Sequence, residues 1–167
     1  MSRQKKKIVL IDTNAIIEAH RVKCWNNLAS FFQMETVDEC IVELGTGNSM
    51  RDDYVKIDIE HFRKTILTHK TTEIEKVSLA LKYGNHDLLD PGEKYLMAYA
   101  LNKKDIWVLC SPDKACVRAM FALNFKNRTI SLQKLIEETG LKINKFNLKK
   151  QYTENWLVDF RTNLLFG

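Results

Sequence analysis

The stretch Ile8-Val9-Leu10-Ile11-Asp12-Thr13-Asn14 decides the fold class of this chain. Its first four residues form an unbroken apolar run, rich in β-branched side chains and without polar alternation, which predicts a strand buried on both faces. Asp12, Thr13 and Asn14 then offer the side chains that commonly cap a helix N-terminus. The stretch therefore predicts a buried strand that leads directly into a helix, the repeating unit of a parallel α/β sheet.

The rest of the chain repeats this alternation of strands and helices. Residues 106–110 form a second clear strand, and we expect short strands at Thr36-Val37 and at 129–131. Residues 48–70 are expected to form a loop followed by a helix. Apolar residues at helical spacing mark seven predicted helices, in order Ile16 and Ala19; Trp25, Leu28 and Phe32; Cys40, Ile41 and Leu44; Ile59, Phe62 and Ile66; Ile74, Val77 and Leu81; Leu96, Met97 and Ala100; and Cys116, Ala119, Met120 and Leu123. The pattern predicts a three-layer α/β/α fold with a central parallel sheet.

Length and charge set the organisation that we expect. The 167 residues, 45% of them hydrophobic, suffice for one compact core. The 26 basic and 21 acidic residues give a net charge of +5, which is compatible with a polyanionic partner but also with many other partners. We divide the chain into a domain of residues 1–140 and a basic C-terminal extension of residues 141–167. In the extension Trp156, Phe160 and Leu164 predict an amphipathic helix that docks on this domain or on a second copy in a homodimer.

The cysteines and the apolar runs of the sequence indicate where in the cell the protein is expected. The four cysteines form neither a CxxC pair nor a Cys/His spacing suited to zinc, so we interpret them as buried free thiols in a reducing cytoplasm. The apolar run after Lys5-Lys6-Lys7 ends at Asp12, which is too short for a signal peptide. No other run is long enough to span a membrane. We therefore expect a cytoplasmic protein without a membrane segment.

Four carboxylates stand where predicted strands end or predicted helices begin or end: Asp12, Glu43, Glu93 and Asp113. Each has an ordinary structural role open to it. Asp12 and Asp113 are suitable N-caps, Glu93 is the third residue of a capping box, and Glu43 can be a solvated glutamate. Their joint occurrence on four elements is harder to account for in this way. If the strands are parallel, the acids collect at the carboxyl edge of the sheet, where open α/β sheets bind ligands.

Acids gathered at one place repel one another unless a cation lies between them. Oxygen-only ligands suit hard cations, so we predict a Mg²⁺ or Mn²⁺ site with all four carboxylates as its metal-binding and catalytic set. Such a site can activate water for the hydrolysis of phosphodiester bonds. Thr13, Asn14 and Ser111 flank the acids and would orient water or ligand oxygens, although helix capping accounts for them as well.

In these motifs the chain resembles the PIN-domain family of small metal-dependent ribonucleases, which includes toxins of prokaryotic toxin-antitoxin pairs. The stretch from Ile8 to Asn14 resembles the first strand of the family and its Asp-Thr-Asn signature. Val42-Glu43-Leu44, Pro91-Gly92-Glu93 and Ser111-Pro112-Asp113-Lys114 resemble its later acidic motifs, in the same order. The resemblance runs from about residue 7 to residue 140. It implies a PIN-like fold, an RNA substrate cleaved by an endoribonuclease, and, for a toxin, an antitoxin protein as partner.

Three basic residues are the candidate contacts to RNA phosphates: Arg51, Lys114 and Arg118. Two other enzyme-like classes fit less well. A receiver domain would carry adjacent acids after its first strand, and a DxD phosphatase would carry a second Asp at the position of Asn14. The remaining alternative is a catalytically silent PIN-like module that binds RNA or a protein.

Overall fold

The computed structural model describes residues 4–47 and 54–167. The strands in these residues are β1 (Ile8–Ile11), β2 (Gln33–Val37), β3 (Leu67–His69) and β4 (Trp107–Cys110). The α-helices are α1 (Thr13–Arg21), α2 (Trp25–Phe31), α3 (Asp38–Gly45), α4 (Ile59–Arg63), α5 (Glu73–Lys82), α6 (Pro91–Asn102), α7 (Lys114–Ala122), α8 (Leu132–Glu138) and α9 (Glu154–Phe166). Short 3-10 turns lie at His86–Leu88, Lys126–Arg128, Ile143–Lys145 and Lys150–Tyr152.

The four strands form one parallel sheet in the order β3-β2-β1-β4. The predicted α/β class with a central parallel sheet is thus confirmed. In the centre Leu10 of β1 pairs with Leu109 of β4 on one side and with Glu35 of β2 on the other. Because all strands run in the same direction, the residues that follow β1 and β4 emerge side by side at the carboxyl edge.

The unbroken apolar run of β1 follows from burial on both faces of the sheet. Val9 and Ile11 belong to one core cluster with side chains of α1, α2 and α8. Ile8 and Leu10 belong to a second cluster with side chains of α5, α6 and α7. The helices therefore cover both faces, and burial of each of these β1 side chains contributes roughly 1.5–3 kcal/mol.

Two local predictions were wrong. β3 was missed: it is three residues long, its Leu67 is 57% exposed, and an edge strand of this kind has almost no apolar signature. The predicted strand at residues 129–131 is only an isolated bridge between Thr129 and Leu109. Its last residue, Ser131, instead caps α8 by accepting a hydrogen bond from the Lys134 N–H. β2 also begins earlier than predicted, at Gln33.

The predicted C-terminal helix is present as α9, and it packs against α7 and α8 of the same chain. Ahead of it, Tyr152 is buried in the core cluster of the α1 face and donates a hydrogen bond to the Asn14 carbonyl (3.2 Å). In residues 4–47 and 54–167, no helix combines the length and the apolar character needed to cross a bilayer. The four cysteines are all buried and free, as predicted.

Candidate carboxylate site

The first part of the site joins the ends of β1 and β4. Asp12 follows β1 and caps α1, because its Oδ1 accepts a hydrogen bond from the Ala15 N–H at 2.9 Å. Its Oδ2 accepts a hydrogen bond from the Ser111 hydroxyl at 2.5 Å. That hydroxyl oxygen also accepts from the Asp113 N–H at 3.2 Å, and Asp113 caps α7. Ser111 therefore links the carboxylate of Asp12 to the backbone of Asp113.

The second part of the site is built around Glu43, near the end of α3. One carboxylate oxygen accepts a hydrogen bond from the Thr13 hydroxyl at 2.6 Å. The other accepts a hydrogen bond from the Gly92 N–H at 3.0 Å. The side chain thus joins the first residues of α1 and α6, and it is oriented from both sides.

Gly92 has a role that the sequence motif did not reveal. A Cβ atom at this position would lie 2.7 Å from each of the two Glu43 carboxylate oxygens, closer than real Cβ atoms come to any neighbour. Only a glycine allows the carboxylate to lie against the first turn of α6. The sequence signal was a glycine in the first turn of a helix directly before an acid, and that combination also occurs in helices that hold no carboxylate in this way.

Glu93 is the third residue of α6 and is 6% exposed. It completes the predicted capping box, in which its carboxylate accepts a hydrogen bond from the Asp90 N–H at 3.4 Å. That single long contact leaves most of the carboxylate's hydrogen-bonding capacity unused at a buried position. Burial of a charged group is costly unless something compensates for it.

Electrostatics show that these acids lie close enough to affect one another. Burial is the main cause that raises the pKa of Asp12 to about 7, and the neighbouring charges of Asp113 and Glu43 act in the same direction against the hydrogen bonds from Ser111 and Ala15. Burial likewise raises the pKa of Glu93 to about 8, with further contributions from Asp113 and Asp12. The four predicted acids, carried by four different elements, are therefore brought into one interacting group at the carboxyl edge.

The donor set fits a hard divalent cation in its chemistry, because every donor is an oxygen and two of the carboxyls, those of Asp12 and Glu93, are buried. The geometry is less complete. Among the described residues, no three His, Cys, Asp or Glu side chains are arranged as a group that could hold a metal ion. The Glu43 carboxylate accepts its two hydrogen bonds from donors of the protein itself, the Thr13 hydroxyl and the Gly92 N–H.

A cavity of about 370 Å³ opens beside Asp113, the one of the four acids that lines it. Its wall combines residues of α1, of the segment after residue 53, of the Asp113 turn and of the C-terminal extension: among them are Asn14, Glu18, Tyr54, Asp113, Gln151 and Tyr152. Asn14 is exposed on this wall, at the position predicted to orient a ligand. The extension therefore forms one side of the cavity, a contribution that the sequence did not reveal.

Two of the three predicted phosphate contacts lie near the site. Lys114 directly follows Asp113, and Arg118 lies one turn further along α7; both side chains are exposed. Arg51, the third, lies outside the described residues.

No protein-family model matches this chain. No curated protein is significantly similar to it in sequence.

Proposed function

We propose that this chain is a metal-dependent endoribonuclease of PIN-like organisation that hydrolyses RNA phosphodiester bonds at the carboxyl edge of its sheet. One observation carries the proposal: Asp12 and Glu93 are buried carboxyls from two different elements, both have Asp113 of a third element as a neighbour, and burial together with this repulsion raises their pKa values to about 7 and about 8. A carboxylate that only caps a helix does not need to be buried next to other acids. Buried, mutually repelling carboxylates are typical of sites that bind a cation or handle protons.

Asp12, Glu93 and Asp113 would hold Mg²⁺ or Mn²⁺, with Glu43 as the fourth carboxylate. When bound, the ion would acidify the attacking water and stabilise the charge that develops on the scissile phosphate. The chain's own residues prepare this chemistry. Ser111 and the Ala15 N–H fix the two oxygens of Asp12 in place, so that little reorganisation is needed at the moment of reaction.

Without a cation, the buried acids keep protons near neutral pH. An Asp12 carboxyl with a pKa of about 7 and a Glu93 carboxyl with a pKa of about 8 are both largely protonated at pH 6.5. Cation binding requires their deprotonated forms, so the affinity for a metal should increase with pH across this range. Glu43 accepts hydrogen bonds from the Thr13 hydroxyl and the Gly92 N–H, which fix the orientation of its carboxylate.

Cleavage assays with an isosteric variant test the proposal. Purified protein is incubated with 5′-labelled single-stranded and hairpin RNA in Mn²⁺, Mg²⁺ or EDTA. Asp12→Asn keeps the size of the side chain and an oxygen for the Ala15 N–H, and its amide N–H can donate to the Ser111 oxygen in place of accepting from it. The charge is removed, and cleavage should fall by at least about 100-fold. Asp58→Asn is the matched control, because Asp58 also caps a helix, α4, but outside the carboxylate group. Both variants are checked for folding by circular dichroism.

A specific observation favours a second candidate, the catalytically silent module that binds RNA or a protein. It is the lack, in the described part of the chain, of a three-residue group ready to hold a metal. Binding of RNA by folded wild-type protein without cleavage in any divalent cation would favour this candidate. Metal-dependent cleavage that the Asp12→Asn variant loses would exclude it.

A further inference from the structure

A groove of about 380 Å³ runs between the start of α7 and the first half of α9. Its wall contains Lys114, Lys150, Trp156, Asp159 and Phe160. The rings of Trp156 and Phe160 are stacked one turn apart on α9, with centroids 5.7 Å apart and an interplanar angle of 15°. Both rings are only half-buried. The groove therefore contains two partly exposed aromatic rings.

Cations of α7 lie over this aromatic surface. The Lys114 ammonium is 5.7 Å from the centroid of the Phe160 ring, and the Arg118 guanidinium is 5.3 Å from it. In residues 4–47 and 54–167 neither cation forms an ion pair with a carboxylate. Lys150 adds a third exposed positive charge, whereas Asp159 is the single acid lining this groove in the described structure. The net charge of the groove is positive.

The groove adjoins the carboxylate site at the start of α7. Lys114 is the residue directly after Asp113, so the first turn of α7 contributes to both. The turn Lys150–Tyr152 separates the two cavities: Tyr152 lines the one beside Asp113, and Lys150 lines the groove. A chain that extends from the carboxylates along α7 would thus reach the aromatic rings next.

We propose that the groove binds single-stranded RNA, with a base stacked on Trp156 and backbone phosphates paired with Lys114, Arg118 and Lys150. The proposal rests on the proposed function for the identity of the polyanion. Stacking on aromatic side chains combined with a row of cations is how proteins hold single strands. Bases in a duplex are already stacked on each other and cannot reach these rings, so the groove selects unpaired segments.

The test measures binding in EDTA, where no cleavage can occur. A fluorescein-labelled 12-nucleotide single strand is titrated with full-length protein and followed by anisotropy, with an RNA duplex of equal length in parallel. The double variant Lys114→Gln/Arg118→Gln should weaken single-strand binding by about tenfold or more. It should also make the slope of log K against log salt shallower by about 1.4, since each phosphate contact in a single strand contributes about 0.7.

Lys70→Gln/Lys82→Gln is the matched control. It removes the same charge from exposed lysines after β3 and at the end of α5, next to the opposite outer strand of the sheet. Its affinity and salt slope should stay within twofold of the wild type. A control that weakens binding as much as the α7 variant would show that only net charge matters, and this would overturn the proposal.

Tryptophan fluorescence gives an independent readout of stacking. Trp25 and Trp107 are 4% and 1% exposed, so quenching by RNA should come from Trp156. Trp156→Phe should abolish the quenching and keep the ring stack with Phe160, whereas Trp156→Leu should weaken binding about tenfold. Unfolding curves confirm that each variant is folded. Absence of quenching in the wild type, or equal affinity for duplex RNA, would overturn the proposal.

The outcomes separate this proposal from the nuclease proposal. Single-strand binding through the groove without cleavage in any metal would support the groove proposal and refute the nuclease proposal. Metal-dependent cleavage with unchanged RNA binding in Lys114→Gln/Arg118→Gln would support the nuclease proposal and refute the groove proposal.

Discussion

Replacement of Gly92 by alanine tests how Glu43 is held. The new Cβ would lie 2.7 Å from both Glu43 carboxylate oxygens, so the carboxylate must move away and its hydrogen bond with the Gly92 N–H is lost. A hydrogen bond to a charged group contributes about 1.5–3 kcal/mol, with the lower end suited to a half-buried carboxylate. Alanine recovers about 0.5 kcal/mol through its helix propensity. We expect Gly92→Ala to lower the free energy of unfolding by about 1 kcal/mol.

Urea unfolding followed by circular dichroism measures this change, and Gly45→Ala is the control. A Cβ at Gly45, in the last turn of α3, has no neighbour within 4 Å, so this variant should be neutral or slightly stabilised. A double-mutant cycle locates the cause. In a Glu43→Ala background, Gly92→Ala should instead stabilise the protein by about 0.5 kcal/mol, so the coupling energy should be about 1.5 kcal/mol. The same loss of stability in both backgrounds would refute the reasoning.

Two further predictions concern buried acids. In EDTA the free energy of unfolding should fall by about 2–3 kcal/mol from pH 5 to pH 8 on account of Asp12 alone. Folding raises the pKa of this carboxyl, so its contribution to stability is fully present below the pKa of the unfolded chain. That contribution is lost as the pH rises through the pKa of the folded protein. Glu93 adds to the effect. Asp12→Asn should make the dependence of stability on pH shallower, and Mn²⁺ should restore the stability of the wild type at pH 8. Urea unfolding at each pH measures this, and a wild-type stability that stays flat or rises with pH would contradict the raised pKa values. Glu18, which is 1% exposed, accepts hydrogen bonds from Arg21 Nε at 2.5 Å and from the Lys149 N–H at 2.7 Å. Glu18→Ala should therefore lower the free energy of unfolding by about 2–3 kcal/mol, and the Lys149 amide should exchange its hydrogen faster. Unchanged protection of this amide would show that Glu18 does not anchor the extension.

Local patterns along the chain predicted the central elements correctly. β1 was predictable because a strand buried on both faces must be apolar at every position, and Ile8–Ile11 meets that condition. The caps of α1, α6 and α7 were predictable because a capping side chain bonds to backbone groups two or three residues away. β3 was not predictable, since a three-residue strand at a sheet edge is specified by its neighbour β2 rather than by its own side chains.

The candidate site shows the same division. Local sequence was enough to show which acids can cap helices and that Asp12 and Asp113 follow buried strands. Which groups meet depends on how distant elements pack: Ser111 contacts Asp12 across 99 residues of sequence, and Gly92 contacts Glu43 across 49. The same packing places Trp156 of the extension beside Lys114. The physical reason is range, because caps and amphipathic stripes depend on neighbours within one or two turns, whereas a site depends on the packing that brings distant elements together.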